Sequence, residues 1–282
     1  MFTELNITSN FSFLKGASHP EEYVLRAAAL GMQALAIADE NSVAGIVRAH
    51  TQAREVARLV RARTQWDAAH GLIGPPAPSG ATRSPSFPVY ASPRLIPAAR
   101  LVFTDACAIT VLPETRVGWG ALCRVLSAGR LRAQKGGCDL QLAHLLERGE
   151  AVQLILWPQA QAGQTGAGGW VQTAQRLVRR FPGKIHVGLA PQYDGGDPVR
   201  FAALTREAAR LGLPTLASAA PVMHHGARRK LADVLTAIRL GRKVDCLGRD
   251  ALANAACRLR SATEMHQIFK GFEAAVARAD AL

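Results

Sequence analysis

The chain alternates short apolar runs of strand length with amphipathic stretches of helix length along most of its 282 residues. Strand-like runs fall at 2–8, 34–39, 94–103, 107–113, 152–157, 184–190 and 214–218. Helix-like stretches fall at 20–30, 42–60, 118–129, 168–180, 198–211 and 228–240. This repetition predicts β/α units with parallel strands, because a parallel pair needs a long crossover and a helix supplies one. Seven such strands point to a barrel or a closed α/β sheet, with an open doubly wound sheet as the alternative. The length suffices for one barrel-sized domain or two smaller ones.

One interval breaks the alternation. Residues 71–93, "GLIGPPAPSGATRSPSFPVYASP", carry too many prolines for a helix and too few backbone donors for a strand, which predicts a long surface loop. The stretch 161–170, "QAGQTGAGGW", reads as a shorter loop, and its glycines lack the strand-then-helix setting of a phosphate loop. We divide the chain into a barrel domain over 1–250 and a C-terminal helical segment over 251–282. In that segment Ser261 and Glu264 have the spacing of a capping box, followed by an apolar face of Met265, Ile268, Phe269 and Phe272. The closing "AAVARADAL" reads as a helical pattern that continues toward a further domain.

Net charge is +13, from 34 Lys and Arg against 21 Asp and Glu, with Arg in excess, which suits a phosphate-bearing partner such as DNA. Five cysteines form no C-x-x-C pair, so neither a zinc ribbon nor a disulfide framework is expected. The apolar runs are too short for a membrane helix, and "MFTELNITSNFSFLKG" lacks the pattern of a secretory signal. A cytoplasmic protein with no membrane partner is the expectation.

Chemistry in β/α folds gathers where strands end. The first strand ends on Asn6, Ile7 and Thr8, where Asn6 and Thr8 share a face; neither ligates a transition metal, and the polar run after them suits turns and caps. The second ends on Asp39-Glu40, which could hold a hard cation or, as we prefer, cap the helix at 42–60 together with Asn41. The third offers Pro97, Ala98, Ala99 and Arg100, which hold no metal. His224 and His225 are adjacent and point apart in extended chain, and Arg228, Arg229 and Lys230 form a basic patch suited to phosphate or DNA. No G-x-S-x-G elbow, P-loop or H-E-x-x-H occurs.

The run "ELNITSNFSFLKGASHPEEYVLRAAALGMQALAIADENSVAGIVRAH" resembles the start of the PHP domain of bacterial C-family DNA polymerases, nearest the error-prone subfamily of damage-induced mutagenesis. "GWGALCRVLSAGRLRAQKG" and "MHHGARRKLADVLTAIRLGR" resemble later segments of the same subfamily. The resemblance implies a distorted (β/α)7 barrel. In active PHP domains that barrel holds a metal cluster for phosphoester hydrolysis. Here the H-x-H positions read Asn6 and Thr8, T-D-H reads Ala38-Asp39-Glu40, a Gly-Ala-Glu motif falls at Pro97-Ala98-Ala99, and the late motif falls near Ala220. The resemblance therefore implies a catalytically silent domain without metal. The residual alternative is a phosphoesterase using Asp39, Glu40, His50 and His224 with one cation, and a third reading is a stand-alone DNA- or partner-binding module. The parent polymerases transfer deoxynucleotides past lesions during DNA repair, with Mg²⁺ in a palm domain whose sequence this chain does not contain. The partners so implied are that polymerase core, DNA, a β-clamp and the proteins of the mutagenesis cassette.

Overall fold

A computed structural model describes residues 1–70, 92–158 and 167–282. The expected loop at 71–93 lies almost wholly outside the described residues, as does most of the Gly-rich loop at 161–170. The described strands are β1 (Glu4–Ile7), β2 (Ala34–Ile37), β3 (Arg94–Pro97), β4 (Ala99–Leu101), β5 (Ala108–Pro113), β6 (Val152–Trp157), β7 (Ile185–Leu189) and β8 (Thr215–Ala217). The helices are α1 (Pro20–Ala29), α2 (Ile46–Ala69), α3 (Arg116–Arg132), α4 (Leu142–Arg148), α5 (Ala167–Arg180), α6 (Asp197–Arg210), α7 (Arg229–Leu240), α8 (Ala262–Ile268) and α9 (Glu273–Ala281).

The strands form a distorted barrel in two sheets, β1-β2-β3 and β4-β5-β6-β7-β8. β1 and β2 are buried along their whole length, as strands covered on both faces must be. The run expected as one strand over 94–103 breaks at Ala98. Its first half pairs parallel with β2, and its second half pairs antiparallel with β5. Counting β3 and β4 as one broken strand gives the seven positions expected.

The expectation of parallel strands throughout fails at β5, which runs against both β4 and β6. Only residues 102–107 join β4 to β5. A parallel crossover needs about a dozen residues or more, so the chain must turn back on itself. Parallel order resumes from β6 to β8. The sheets are stitched where the chain beyond β2 runs beside β4: Arg100 N–H donates to the Asp39 carbonyl at 3.0 Å, and Asn41 N–H to the Arg100 carbonyl at 2.9 Å. On the other side Thr8 N–H donates to the Pro221 carbonyl at 3.0 Å, joining β1 to the chain after β8.

Local chemistry accounts for the helix ends that matter. Pro20 opens α1, Glu21 and Glu22 occupy its positive first turn, and the Glu22 carboxylate accepts from His19 N–H at 2.8 Å. The capping box at Ser261 and Glu264 forms as the spacing predicts, with Ser261 N–H donating to Glu264 at 3.0 Å. The 251–282 segment packs back onto the barrel. Phe269 stacks on Phe201 of α6 with ring centroids 4.8 Å apart, α9 buries Ala275, Val276 and Ala279, and Arg278 donates to the Thr215 carbonyl at 2.9 Å. One cap is corrected. α2 begins at Ile46, not 42, and neither Asp39 nor Asn41 caps it; Gly45 holds the cap position without a side-chain bond.

Candidate functional site

The strand ends expected to carry chemistry converge at one end of the barrel, and their polar groups bond mostly to each other. Asp39 is buried. Its Oδ1 accepts from Ser9 N–H at 2.7 Å and from Ser12 Oγ–H at 2.8 Å, and its Oδ2 accepts from Ser9 Oγ–H at 2.7 Å. Ser12 Oγ in turn accepts from Glu40 N–H at 2.9 Å. The polar run after β1 therefore exists to hold this carboxylate. Burial pushes the Asp39 carboxyl above its ordinary value, and the serine bonds pull the other way. Gly16 makes the wrap physically feasible, because a Cβ there would sit 2.0 Å from the Ser9 carbonyl oxygen. The carboxylate of Glu40 reaches outward instead and pairs with Lys15.

Asn41 adopts a left-handed backbone (φ 48°) and ties to β4, its Oδ1 accepting from Val102 N–H at 2.9 Å. That bond stitches the two sheets and explains why Asn41 is unavailable as a cap.

Asn6 closes a second relay. Trp157 Nε1–H donates to Thr110 Oγ1 at 2.9 Å, and Thr110 Oγ1–H donates to Asn6 Oδ1 at 2.8 Å. Thr8 contributes backbone only, its carbonyl accepting from the Tyr23 hydroxyl at 3.0 Å. Ala99 is buried on β4 and offers no donor atom, and Ala220 sits in a left-handed conformation (φ 45°) at the barrel mouth.

Sequence reasoning missed Glu4. Its carboxylate is fully buried and accepts from Ser218 Oγ–H, from Ala219 N–H at 2.8 Å and from Asn6 N–H at 3.0 Å. Desolvation pushes its pKa up to about 7 against those three donors. The available signal was a charged residue inside an apolar strand, "FTELNIT", since a buried Glu is rare unless held.

The remaining candidates lie elsewhere. His50 is exposed on α2. His224 Nδ1 is 2.8 Å from Ser18 Oγ and 3.8 Å from Glu22, and burial lowers its pKa. Arg228 pairs with Glu22, Arg229 donates to the Leu252 carbonyl at 2.6 Å and meets Asp233 at 3.3 Å, and Lys230 is exposed. Two of the three basic residues proposed for phosphate are thus engaged within the fold.

The polar atoms of these residues are engaged mainly within the fold. Both Asp39 oxygens are taken by serine and backbone donors, the Asn6 carboxamide oxygen by Thr110, and the Glu4 oxygens by three donors. Ala99 and Ala220 bring no ligand atom, and a cation, Arg100, lines the mouth beside Asn6 and Ala220. Among the described residues, no three of Asp39, Glu40, His50 and His224 are grouped to hold an ion.

A barrel of this topology, with strand ends 6–8, 38–40, 97–99 and 219–222 gathered at one mouth, is the setting of the PHP domain. The PHP domain model matches residues 4–151, and the chain belongs to that family. It is similar to the error-prone DNA polymerase of Ruegeria pomeroyi, 40% identical over 285 residues, covering 98% of this chain and 25% of that protein. It is similar also to the error-prone DNA polymerases of Rhodopseudomonas palustris and Sinorhizobium medicae, each 36% identical across 98% of this chain and 22% of theirs. The chain spans about a quarter of the length of these curated relatives.

Proposed function

We propose that this chain acts as the N-terminal PHP domain of an error-prone DNA polymerase, catalytically silent itself and serving as a packing module for the polymerase core. The observation that carries the reading is similarity over 98% of the chain to proteins of that name. The donor set supports silence: each carboxylate oxygen of Asp39 and of Glu4 already accepts an internal hydrogen bond.

A packing role is supported by the surface. Phe13, exposed at the tip of the turn after β1, borders a cavity of about 270 Å³ together with Leu231 and Leu235 of α7. Val234 and Ile238 extend the same helical face and are exposed. The turn thus has two sides: its serines hold Asp39, and its Phe13 offers an apolar contact to a partner. On this reading that partner is the polymerase core, where Mg²⁺ would support nucleotidyl transfer past DNA lesions in the cytoplasm. DNA, a β-clamp and the mutagenesis-cassette proteins would act on the assembled enzyme.

The test is primer extension across an abasic site by the purified product of the whole gene with Mg²⁺. Extension past the lesion supports the reading, and no extension on any template overturns it. Silence is tested separately on this chain with a chromogenic phosphate ester and added Mn²⁺. Hydrolysis that is lost in Asp39→Asn would overturn it.

A further inference from the structure

Helix α2 outruns the body it packs on. The residues it buries, Ala49, Ala53 and Val56, all lie in its first half. From Arg61 to His70 every position except Asp67 is exposed, so nearly three turns stand clear of the other described residues. A helix end with nothing beneath it frays unless its own side chains hold it. Here Arg63 Nε meets Asp67 Oδ1 at 2.8 Å, and the rings of Trp66 and His70 stack with centroids 4.1 Å apart. The arm buries no apolar surface for the core, so packing does not account for it.

Its chemistry falls on two faces. Arg54, Arg58 and Arg61 are exposed and recur at the i, i+4, i+7 spacing of one face, about 10 Å from first to last. Neither 71–91 nor 159–166 contains an Asp or Glu, so every acidic residue of the chain is described. The ion pairs of α2 engage Arg48, Arg58 and Arg63 and leave Arg54 and Arg61 without an acidic partner. Arg58 pairs with Glu55 of the same helix at 2.7 Å, an exposed bond that is worth little in water and open to exchange for a phosphate. On the second face the Arg63 guanidinium lies 4.9 Å from the centre of the Trp66 ring, which is 48% exposed. A tryptophan ring left that open is a large apolar surface without a cover. α2 contains no lysine, and the planar guanidinium of arginine both pairs with phosphate and stacks on flat rings. An acidic polypeptide would meet the charges and leave the rings unmatched. A single-stranded nucleic acid meets both, with its backbone on the arginines and an unpaired base on the rings.

We propose that the projecting half of α2 is a docking site for single-stranded nucleic acid. Arg54, Arg58 and Arg61 hold the phosphate backbone, and the cluster of Arg63, Trp66 and His70 stacks an unpaired base. The strand crosses the helix, since the two sets of residues lie on different faces. The site depends on no polymerase activity, so it can fail while the function proposed above stands, and the reverse.

The experiment titrates the whole chain into a fluorescein-labelled oligothymidylate of about 20 nucleotides and follows anisotropy from about 50 to 300 mM salt. Binding should saturate, and the logarithm of affinity should fall against that of salt with a slope of about −2, roughly −0.7 for each phosphate held. Arg54→Gln combined with Arg61→Gln should weaken binding about tenfold or more at low salt and bring the slope to about −0.7. Trp66→Ala should weaken it about fivefold or more with the slope unchanged, and Trp66→Phe should restore most of the loss, which separates stacking from charge. Arg176→Gln combined with Arg179→Gln removes equal charge from exposed positions on α5 and should change affinity less than about twofold. All these side chains are exposed, and circular dichroism verifies that each variant keeps its helices. No saturable binding by the wild type up to about 100 μM protein at low salt overturns the proposal. So does unchanged affinity in the α2 variants, or an equal loss in the α5 variant. A duplex of the same sequence binding as tightly as the single strand overturns the stacking, and displacement of the strand by polyglutamate of equal charge reassigns the arm to an acidic protein. An oligouridylate of the same length names the source, RNA or DNA, by whichever strand binds more tightly.

Discussion

Replacing Asp39 by alanine tests whether its carboxylate now builds structure rather than binding metal. The change leaves three donors at the heart of the turn, Ser9 N–H, Ser9 Oγ–H and Ser12 Oγ–H, without their acceptor. Each orphaned buried donor costs about 1–3 kcal/mol, though the hydroxyls can swing to other acceptors and the backbone N–H cannot. Against this stands relief of the burial that already pushes the Asp39 carboxyl upward. The balance is a loss of about 3 kcal/mol, a sizeable part of the roughly 5–15 kcal/mol that holds a domain together. With a urea slope near 3 kcal/mol/M, the unfolding midpoint should fall by about 1 M. Asp39→Asn, which keeps one acceptor, should lose about half as much. A cycle with Ser12→Ala should show coupling of about 0.5–3 kcal/mol, since the two groups share a bond. The assay is urea denaturation followed by circular dichroism, with and without Mn²⁺. A loss below about 1 kcal/mol in Asp39→Ala would refute the argument, because unmet buried donors cannot be that cheap. So would Mn²⁺ stabilising the wild type and not Asp39→Ala, which would make the carboxylate a ligand.

Glu4 should leave a pH signature. Its folded pKa of about 7 lies above its ordinary 4.5, so its contribution to stability is full below about pH 4.5 and is lost as pH rises through 7. The amplitude is on the order of 3 kcal/mol. Asp39 titrates in the same sense, so the check is the difference in unfolding free energy between the wild type and Glu4→Gln from pH 4.5 to 8; a difference independent of pH refutes the assignment. Gly16→Ala should cost several kcal/mol or prevent folding, because its Cβ would press on the Ser9 carbonyl that the turn cannot move without releasing Asp39. Phe269→Ala should cost about 3–5 kcal/mol by thermal or urea melting, since it removes a fully buried ring stacked on Phe201. A loss under 1 kcal/mol there would mean that the C-terminal helices add little to the barrel.

Much of this protein is written in local sequence. Strand and helix positions follow from apolar periodicity, which depends only on neighbouring residues, and α1, α3, α5, α6 and α7 lie within a few residues of the stretches that carry it. The capping box at Ser261 and Glu264 is local in the same way. The change at the motif positions is also legible, because Asn6, Thr8, Ala99 and Ala220 carry none of the imidazole, thiolate or carboxylate groups that transition metals prefer. Tertiary structure decided what those positions do instead. Ser9 and Ser12 meet Asp39 across 27 to 30 residues, Asn6 meets Thr110 across 104, and Glu4 meets Ser218 across 214. The reversal of β5 depends on where β4 stops, and an apolar run does not reveal its own break at Ala98. A buried carboxylate or guanidinium takes its meaning from the atoms that surround it in space. The sequence could therefore name Asp39 as a charged residue at a strand end, and only the fold could give it three donors.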